Sequence, residues 1–287
     1  MSTRLDKMDG ILLLNKEIGY SSFQYINKAK RIINASKVGH SGTLDPFASG
    51  LLIVTVNKAT KVNQFIESLS KEYIATLKLG VKTDTLDLEG NIIATKDVPI
   101  LNEELIINTL NKFKGKIKQV PPMYSAIKVD GKRLYDLARE GKEIERKERE
   151  IEIYDIELLS FSNDEISFRV SCSKGTYIRT LGEQISEELN TYGHLISLTR
   201  TKVGNFKVED AYKIDELDNF KLIDTIEALS HFKKLKLNDE MIQRVKNGHK
   251  LKFNIEEDEV LIVDNDNNII AIYEKDGVIY KSKRGLF

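Results

Sequence analysis

Between residues 39 and 50 the chain reads Gly39-His40-Ser41-Gly42-Thr43-Leu44-Asp45-Pro46-Phe47-Ala48-Ser49-Gly50, and the apolar run Leu51-Leu52-Ile53-Val54-Thr55-Val56 follows at once. Glycines open backbone conformations closed to other residues, and proline fixes φ. Such a loop can hold one side chain in one orientation at the end of a buried strand. Its single carboxylate is Asp45. That is the setting a carboxylate nucleophile needs. By pattern alone, a stretch of Gly, Ser, Asp and Pro ahead of a strand is most often just a turn. The remainder of the chain has to decide between the two.

The elements around the loop follow from spacing. Ile11 to Leu14 reads as a short buried strand ending at Asn15-Lys16. Ser21 with Gln24 three residues on forms a capping-box pattern, and Phe23, Ile26, Ala29 and Ile33 supply the apolar stripe of the helix behind it. From Lys71 to Gly80 the chain alternates, with Tyr73, Ala75, Leu77 and Leu79 on one face of a strand. Residues 103–113 and 134–139 read as helices. Ile151–Leu159 and Glu165–Cys172 read as a strand pair, and Ile178, Leu181, Ile185 and Leu189 mark a further helix. Leu195–Val203 reads as a strand. Strands and helices mix without strict βαβ alternation, so an α+β fold with a mixed, largely antiparallel central sheet and flanking helices is expected.

Past residue 233 the pattern changes. A short helix over Leu237–Gly248 precedes three short strands at Val260–Val263, Ile269–Tyr273 and Val278–Tyr280. Two units are therefore expected: residues 1–232, with an exposed insertion at about 120–150, and a small β-rich module over 233–287. The module is weakly similar to a PUA domain, an RNA-binding barrel.

The charge balance is neutral, 44 basic against 44 acidic residues in 287, so the net charge does not point to nucleic acid. Its distribution does. Residues 1–62 carry Arg4, Lys7, Lys16, Lys28, Lys30, Arg31, Lys37, Lys58 and Lys61 against Asp6, Asp9, Glu17 and Asp45. Residues 112–142 carry Lys112, Lys114, Lys116, Lys118, Lys128, Lys132, Arg133, Arg139 and Lys142 against Asp130, Asp136 and Glu140. A segregated surface can steer a polyanion at zero net charge. With Cys172 alone, no internal disulfide can form, and His40, His194, His231 and His249 lack metal-ligand spacing. No apolar run has signal-peptide or membrane-span form, so a soluble cytoplasmic chain is expected. There is no dinucleotide or phosphate-loop fingerprint.

Six segments, taken in order, carry a resemblance. Leu14-Asn15-Lys16-Glu17-Ile18-Gly19-Tyr20-Ser21-Ser22 is similar to L-D-K-P-x-G-x-T-S, with Asn15 and Glu17 as departures. The Gly39–Gly50 loop matches G-H-x-G-T-L-D-P-x-A-x-G. Lys71-Glu72-Tyr73 and Thr83-Asp84-Thr85-Leu86-Asp87-Leu88-Glu89-Gly90 are similar to K-x-Y and T-D-T-x-D-x-x-G. Pro121-Pro122-Met123-Tyr124-Ser125-Ala126-Ile127-Lys128, with Gly131, Tyr135 and Ala138-Arg139, matches a longer motif. Lys174-Gly175-Thr176-Tyr177-Ile178-Arg179-Thr180-Leu181 is similar to K-G-T-Y-I-R-[TS]-L. Over residues 10–205 the chain resembles the TruB-type tRNA pseudouridine synthases, and its compactness matches their bacterial branch.

The resemblance implies a pseudouridine synthase fold and the isomerisation of uridine in the T-loop of tRNA, at position 55. No cofactor and no metal are implied. Asp45 takes the role of nucleophile. Arg179 is its implied ionic partner, since guanidinium binds carboxylate through parallel N–H bonds. Tyr73 is implied to stack on the flipped base and to take the proton from C5, although a Tyr on an apolar strand face is otherwise most often core. Substrate-binding roles fall to His40, Tyr177, Leu198 and Lys16, and the insertion at 120–150 becomes an RNA clamp. Attack on ribose C1′, attack on the base and a glycal route all remain open. The expected partner is tRNA through its T-stem-loop, with no obligate protein partner and a monomeric state. Two other readings stand beside this one: a tRNA-folding chaperone, and a relative that takes its target from a guide RNA.

Overall fold

The computed structural model describes residues 8–125, 128–129, 131–141 and 144–286. Arg4, Asp6, Lys7, Ala126, Ile127, Asp130 and Lys142, used above in the motifs and charge clusters, lie outside the described residues.

Strand β1 (Gly10–Lys16) leads into helix α1 (Ser22–Ile32), which starts at the Ser21/Gln24 capping box. Strands β2 (Val38–His40) and β3 (Ser49–Val56) flank the glycine-rich loop. A short helix α2 (Asn63–Glu67) precedes β4 (Lys71–Leu79), and β5 (Val81–Thr83) pairs with β6 (Ile92–Thr95) as a separate hairpin. Helix α3 (Glu103–Asn111) is capped by Asn102 and followed by β7 (Gly115–Gln119). The insertion holds a two-residue hairpin, β8 (Lys128–Val129) with β9 (Lys132–Arg133), and helix α4 (Leu134–Arg139). Strands β10 (Arg149–Phe161) and β11 (Glu165–Cys172), helix α5 (Ile178–Glu188), strand β12 (Gly193–Val203) and strand β13 (Phe206–Lys207) complete this part.

The central sheet runs β1-β3-β12-β4-β11-β10-β7, with β2 beside β3 and β13 beside β12. Every pairing is antiparallel except β3 with β12. The expected mixed, largely antiparallel sheet is what forms. Strands β1 and β3 are apolar without alternation because both faces are covered. Leu12, Leu14, Leu52 and Val54 pack in the core beneath α1, α3 and α5. Ile11, Leu13, Leu51 and Ile53 pack on the opposite face.

That opposite face is covered by the C-terminal module. Helix α6 (Thr225–Ala228), strand β14 (Lys233–Lys236), helix α7 (Asp239–Lys246) and strands β15 (Glu259–Val263), β16 (Ile269–Asp276) and β17 (Ile279–Gly285) follow in order. The four strands form a sheet β14-β15-β16-β17 with β14 parallel to β15. Leu261, Val263 and Ile272 join Ile11, Leu13, Leu51, Ile53 and Phe65 in one apolar cluster. A division at residue 232/233 therefore runs through a shared core.

Two local expectations shift. Phe23 is 70% exposed, and Tyr25 takes its place in the buried stripe of α1. Tyr25 can be buried because its hydroxyl donates to the Asn15 carbonyl at 2.8 Å. The Lys112–Lys118 part of the second basic cluster is an ion-pair ladder. Lys112 meets Glu188, and Lys114, Lys116 and Lys118 meet Asp155, Glu150 and Glu148 on or just before β10. These are exposed pairs of low individual energy.

Deleting residues 233–287 strips three buried aliphatic side chains from the face that carries β1 and β3. Each contributes roughly 1.5–3 kcal/mol, so the truncated chain is expected to melt at least about 10 °C lower than the full chain. Differential scanning calorimetry of both forms tests this, and equal melting temperatures would refute a shared core.

Candidate active site

The loop that carries Asp45 is held from four sides. From α1, the fully buried Ser22 hydroxyl donates to the Leu44 carbonyl at 3.0 Å and accepts from the Leu44 N–H at 2.8 Å. Gly19 N–H donates to the Pro46 carbonyl at 2.9 Å. Lys16, at the end of β1, donates its ammonium to the Glu17 carbonyl at 2.9 Å and to the Pro46 carbonyl at 3.4 Å. From β12, Arg200 donates from Nε to the Leu51 carbonyl at 2.7 Å and from Nη2 to the Gly42 carbonyl at 3.1 Å. Gly50 explains why the loop ends in glycine. Its φ is +100°, and a Cβ there would stand 2.3 Å from the Arg200 carbonyl oxygen. Only glycine lets β3 and β12 come together in parallel at this point.

Asp45 Oδ2 lies 2.9 Å from Arg179 Nε. Arg179 sits in the first turn of α5 with its side chain only 4% exposed. The rest of its fork is occupied. Nη1 donates to the Thr85 carbonyl at 2.9 Å and meets Asp87 Oδ2 at 3.4 Å, and Nη2 donates to the Tyr124 carbonyl at 2.7 Å. Asp87 is itself fixed, accepting from the Thr85 hydroxyl at 2.6 Å and the Glu89 N–H at 3.1 Å. The result is a bridged Asp87–Arg179–Asp45 line with rigid ends. Burial pushes the Asp45 carboxyl above the ordinary carboxylate value and Asp87 adds to this, while Arg179 and Lys16 oppose it.

Two cavities meet at Asp45. The first, about 650 Å³, has Asp45, Tyr73, Tyr177, Arg179, Leu198 and Arg200 on its walls. The second, about 640 Å³, has His40, Asp45, Asp87, Glu89 and Arg179, with exposed Phe23 on its rim. Either volume suits a nucleotide-sized ligand. The structure thus brings Asp45, Tyr73, Tyr177, Arg179 and Leu198 around one cavity. His40 lies on the other. Lys16, expected among the substrate-binding residues, faces neither: it is fully buried beneath the loop. A lysine at the end of a core strand that finds two carbonyls above it serves the loop from below.

Burial raises the Tyr73 phenol, and the Arg200 charge pulls it back. His40 is pushed down by burial and by Arg200, which favours the neutral ring. Lys16 is lowered to about 8 by burial, against the opposing pull of Asp45. Among the described residues no group of three or more His, Cys, Asp or Glu is placed to hold a metal ion.

Residues 30–178 match the family model described as TruB family pseudouridylate synthase (N terminal domain). A relative from Francisella philomiragia, tRNA pseudouridine synthase B, is 50% identical over 211 residues, which is 73% of this chain and 70% of that protein. A relative of the same name from Clostridium tetani is 39% identical over 285 residues, 97% of each. The chain belongs to the TruB family of pseudouridylate synthases. A solved structure described as a Cbf5-Nop10-Gar1 complex is similar over 97% of this chain and 85% of that one, with 26% identity and a TM-score of 0.73. A Nop10-Cbf5 complex of the archaeal box H/ACA particle shares the fold, at 23% identity over 97% of this chain and 86% of that one, with a TM-score of 0.72.

Reading the TruB motifs assigned no role to Asp87, Tyr124 or Arg200. Asp87 and Tyr124 stand inside quoted motifs, yet nothing in their spacing shows that they meet Arg179 across 92 and 55 positions. Arg200 left a local trace. It lies two residues from Leu198 on a strand, hence on the same face, where a charge is out of place unless it is satisfied.

Lys16 supplies a stability test of this TruB site. Its folded value near 8 lies below the unfolded 10.5, so between these limits the unfolded chain holds more of the proton. Stability linked to Lys16 therefore rises as pH rises through that window. From about pH 7.5 to about pH 9.5, wild type should gain roughly 1–2 kcal/mol relative to Lys16→Met in urea unfolding. A gap that stays constant or closes would mean that the ammonium is not desolvated.

Proposed function

We propose that this chain converts uridine to pseudouridine in the T-loop of tRNA, at position 55, with Asp45 as its nucleophile. Its relatives named tRNA pseudouridine synthase B support the activity and the tRNA substrate. One observation carries the assignment of roles: the Asp45 carboxylate, bonded to a buried arginine, faces a cavity walled by Tyr73 and Tyr177.

The reaction is an isomerisation. The N1–C1′ bond breaks, the uracil turns, a C5–C1′ bond forms, and overall one proton leaves C5 while N1 gains one. Nothing is oxidised and no co-reactant is consumed. Asp45 attacks, or holds charge on the sugar, while N1 is detached. Arg179 favours the ionised carboxylate against burial, which pushes it toward the neutral acid. A base taken out of the RNA stack needs an apolar and aromatic receptor. Tyr73, Tyr177 and Leu198, which line the cavity, supply that receptor, and Tyr73 takes the C5 proton. His40, on the second cavity, enters the space that displaced nucleotides leave. The C-terminal module and the basic surface contact the tRNA backbone, and such contacts set affinity more than chemistry.

The test is nucleoside mapping of an unmodified tRNA transcript incubated with wild type and with Asp45→Asn, without added metal or nucleotide. Wild type should form one pseudouridine in the T-loop. The variant should form none at any enzyme excess while binding the transcript within about threefold of wild type. Product from Asp45→Asn would remove Asp45 from the chemistry. Tight binding without product from either protein would leave tRNA folding as the activity.

A further inference from the structure

Among the described residues, the largest fully buried side chain is an arginine that the reaction outlined above does not use. Arg200 is 1% exposed. Its guanidinium donates to main-chain oxygens, those of Leu51 and Gly42, rather than to a carboxylate. Main-chain dipoles solvate a cation without neutralising it, so its field remains available to the surroundings. Lys16, His40, Lys71 and Tyr73 all feel that charge.

The position of Arg200 relative to Tyr73 is set by sheet register. On β12 and β4 the two residues are direct partners, so their side chains leave the sheet on the same face. Both line the cavity that holds Asp45. The guanidinium charge bears on the Tyr73 phenol and favours negative charge on its oxygen. Two of its nitrogens are pinned by Leu51 and Gly42, and these bonds fix its plane before any substrate arrives. Other titratable groups acting on the phenol are the Cys172 thiol, two positions along β11 from Tyr73's partner Val170, and the Asp45 carboxylate, and both disfavour a negative oxygen. Arg200 is the group that favours one.

We propose that Arg200 is a positioning residue for the proton-transfer step: it orients the Tyr73 hydroxyl and stabilises negative charge on its oxygen while that oxygen takes the C5 proton. The proposal rests on the reading of Tyr73 as the proton acceptor. In this step the C5–H bond of the re-attached ring breaks and its electron pair returns to the ring. The Tyr73 oxygen takes that proton while a proton passes from the Tyr73 hydroxyl to N1, so negative charge on the oxygen is transient and Tyr73 is unchanged over the cycle. Burial opposes negative charge on this oxygen and holds the phenol above its ordinary value even with Arg200 nearby, so the charge develops only during the proton transfer. A fixed cation in a dry site offsets that cost without reorganisation.

The experiment measures single-turnover rates at saturating enzyme on a tRNA transcript carrying deuterium or hydrogen at uracil C5. The variants are Arg200→Met, Arg200→Lys, Tyr73→Phe and the double variant Tyr73→Phe/Arg200→Met, with melting temperature and transcript Kd measured for each. Arg200→Met should slow turnover by about 100-fold with Kd within about threefold, and should enlarge the C5 isotope effect. Arg200→Lys, which keeps the charge and folds if the methionine variant does not, should recover part of the rate. In the Tyr73→Phe background the Arg200→Met change should cost less than about threefold, because its target is gone. An equal cost in both backgrounds with an unchanged isotope effect would reduce Arg200 to a loop anchor and overturn the proposal. A Tyr73→Phe variant with wild-type rate and isotope effect would instead overturn the reading of Tyr73 as acceptor, and the two failures are told apart by that single variant.

Discussion

A carboxylate partly withdrawn from water is pushed toward its neutral form, and burial pushes Asp45 that way. Arg179, 2.9 Å from Asp45 and with its own side chain sealed from solvent, opposes that push. Burying that guanidinium is costly in turn, so the structure surrounds it with acceptors: two main-chain carbonyls and Asp87. Those acceptors come from the loop after β5 and from the start of the insertion. The ion pair therefore ties together segments around residues 45, 87, 124 and 179. Loss of any one partner leaves a buried charge without compensation, which is why the site is built as a connected line rather than as a single pair.

The second constraint is placement of the loop. Ser22, Gly19, Lys16 and Arg200 reach it from α1, from the turn before α1, from β1 and from β12. All four make bonds to main-chain atoms, so they fix the path of the loop irrespective of its side chains. Gly50 lets the parallel contact between β3 and β12 close, and that contact sets Tyr73, Leu198 and Arg200 at one end of the loop. Position and electrostatics thus have a common origin in one strand crossing.

The sheet and the base-facing residues were legible in the sequence because they rest on local periodicity. The alternation from Lys71 to Leu79 predicts the inward face of Tyr73, and the structure buries Tyr73, Ala75, Leu77 and Leu79 together. The capping box at Ser21 and Gln24 forms as read. Strands β7 and β14 escaped notice because lysines occupy their exposed positions and their apolar residues are few. Phe23 was misplaced in the core because a helical stripe at its end can point to a cavity rim as readily as to the interior. The charge count around residues 112–118 was likewise a surface count, and pairing with the acids of β10 changed its meaning.

By itself the sequence determined the family, the α+β class, the loop that presents Asp45 and the identity of its ionic partner. These are properties of short ordered motifs and of residue chemistry. Tertiary structure alone decided that two cavities meet at Asp45, that His40 and Tyr73 belong to different ones, that Lys16 supports the loop from below and that Arg200 pairs with Tyr73 across β12 and β4. It also decided that the C-terminal module shares a core with β1 and β3. The physical reason is that each of these depends on which strand lies beside which, and on the register between them. Contacts between residues 50 and 200, or 73 and 200, have no local signature; they exist once β12 pairs parallel with β3 and antiparallel with β4, bringing distant strands together.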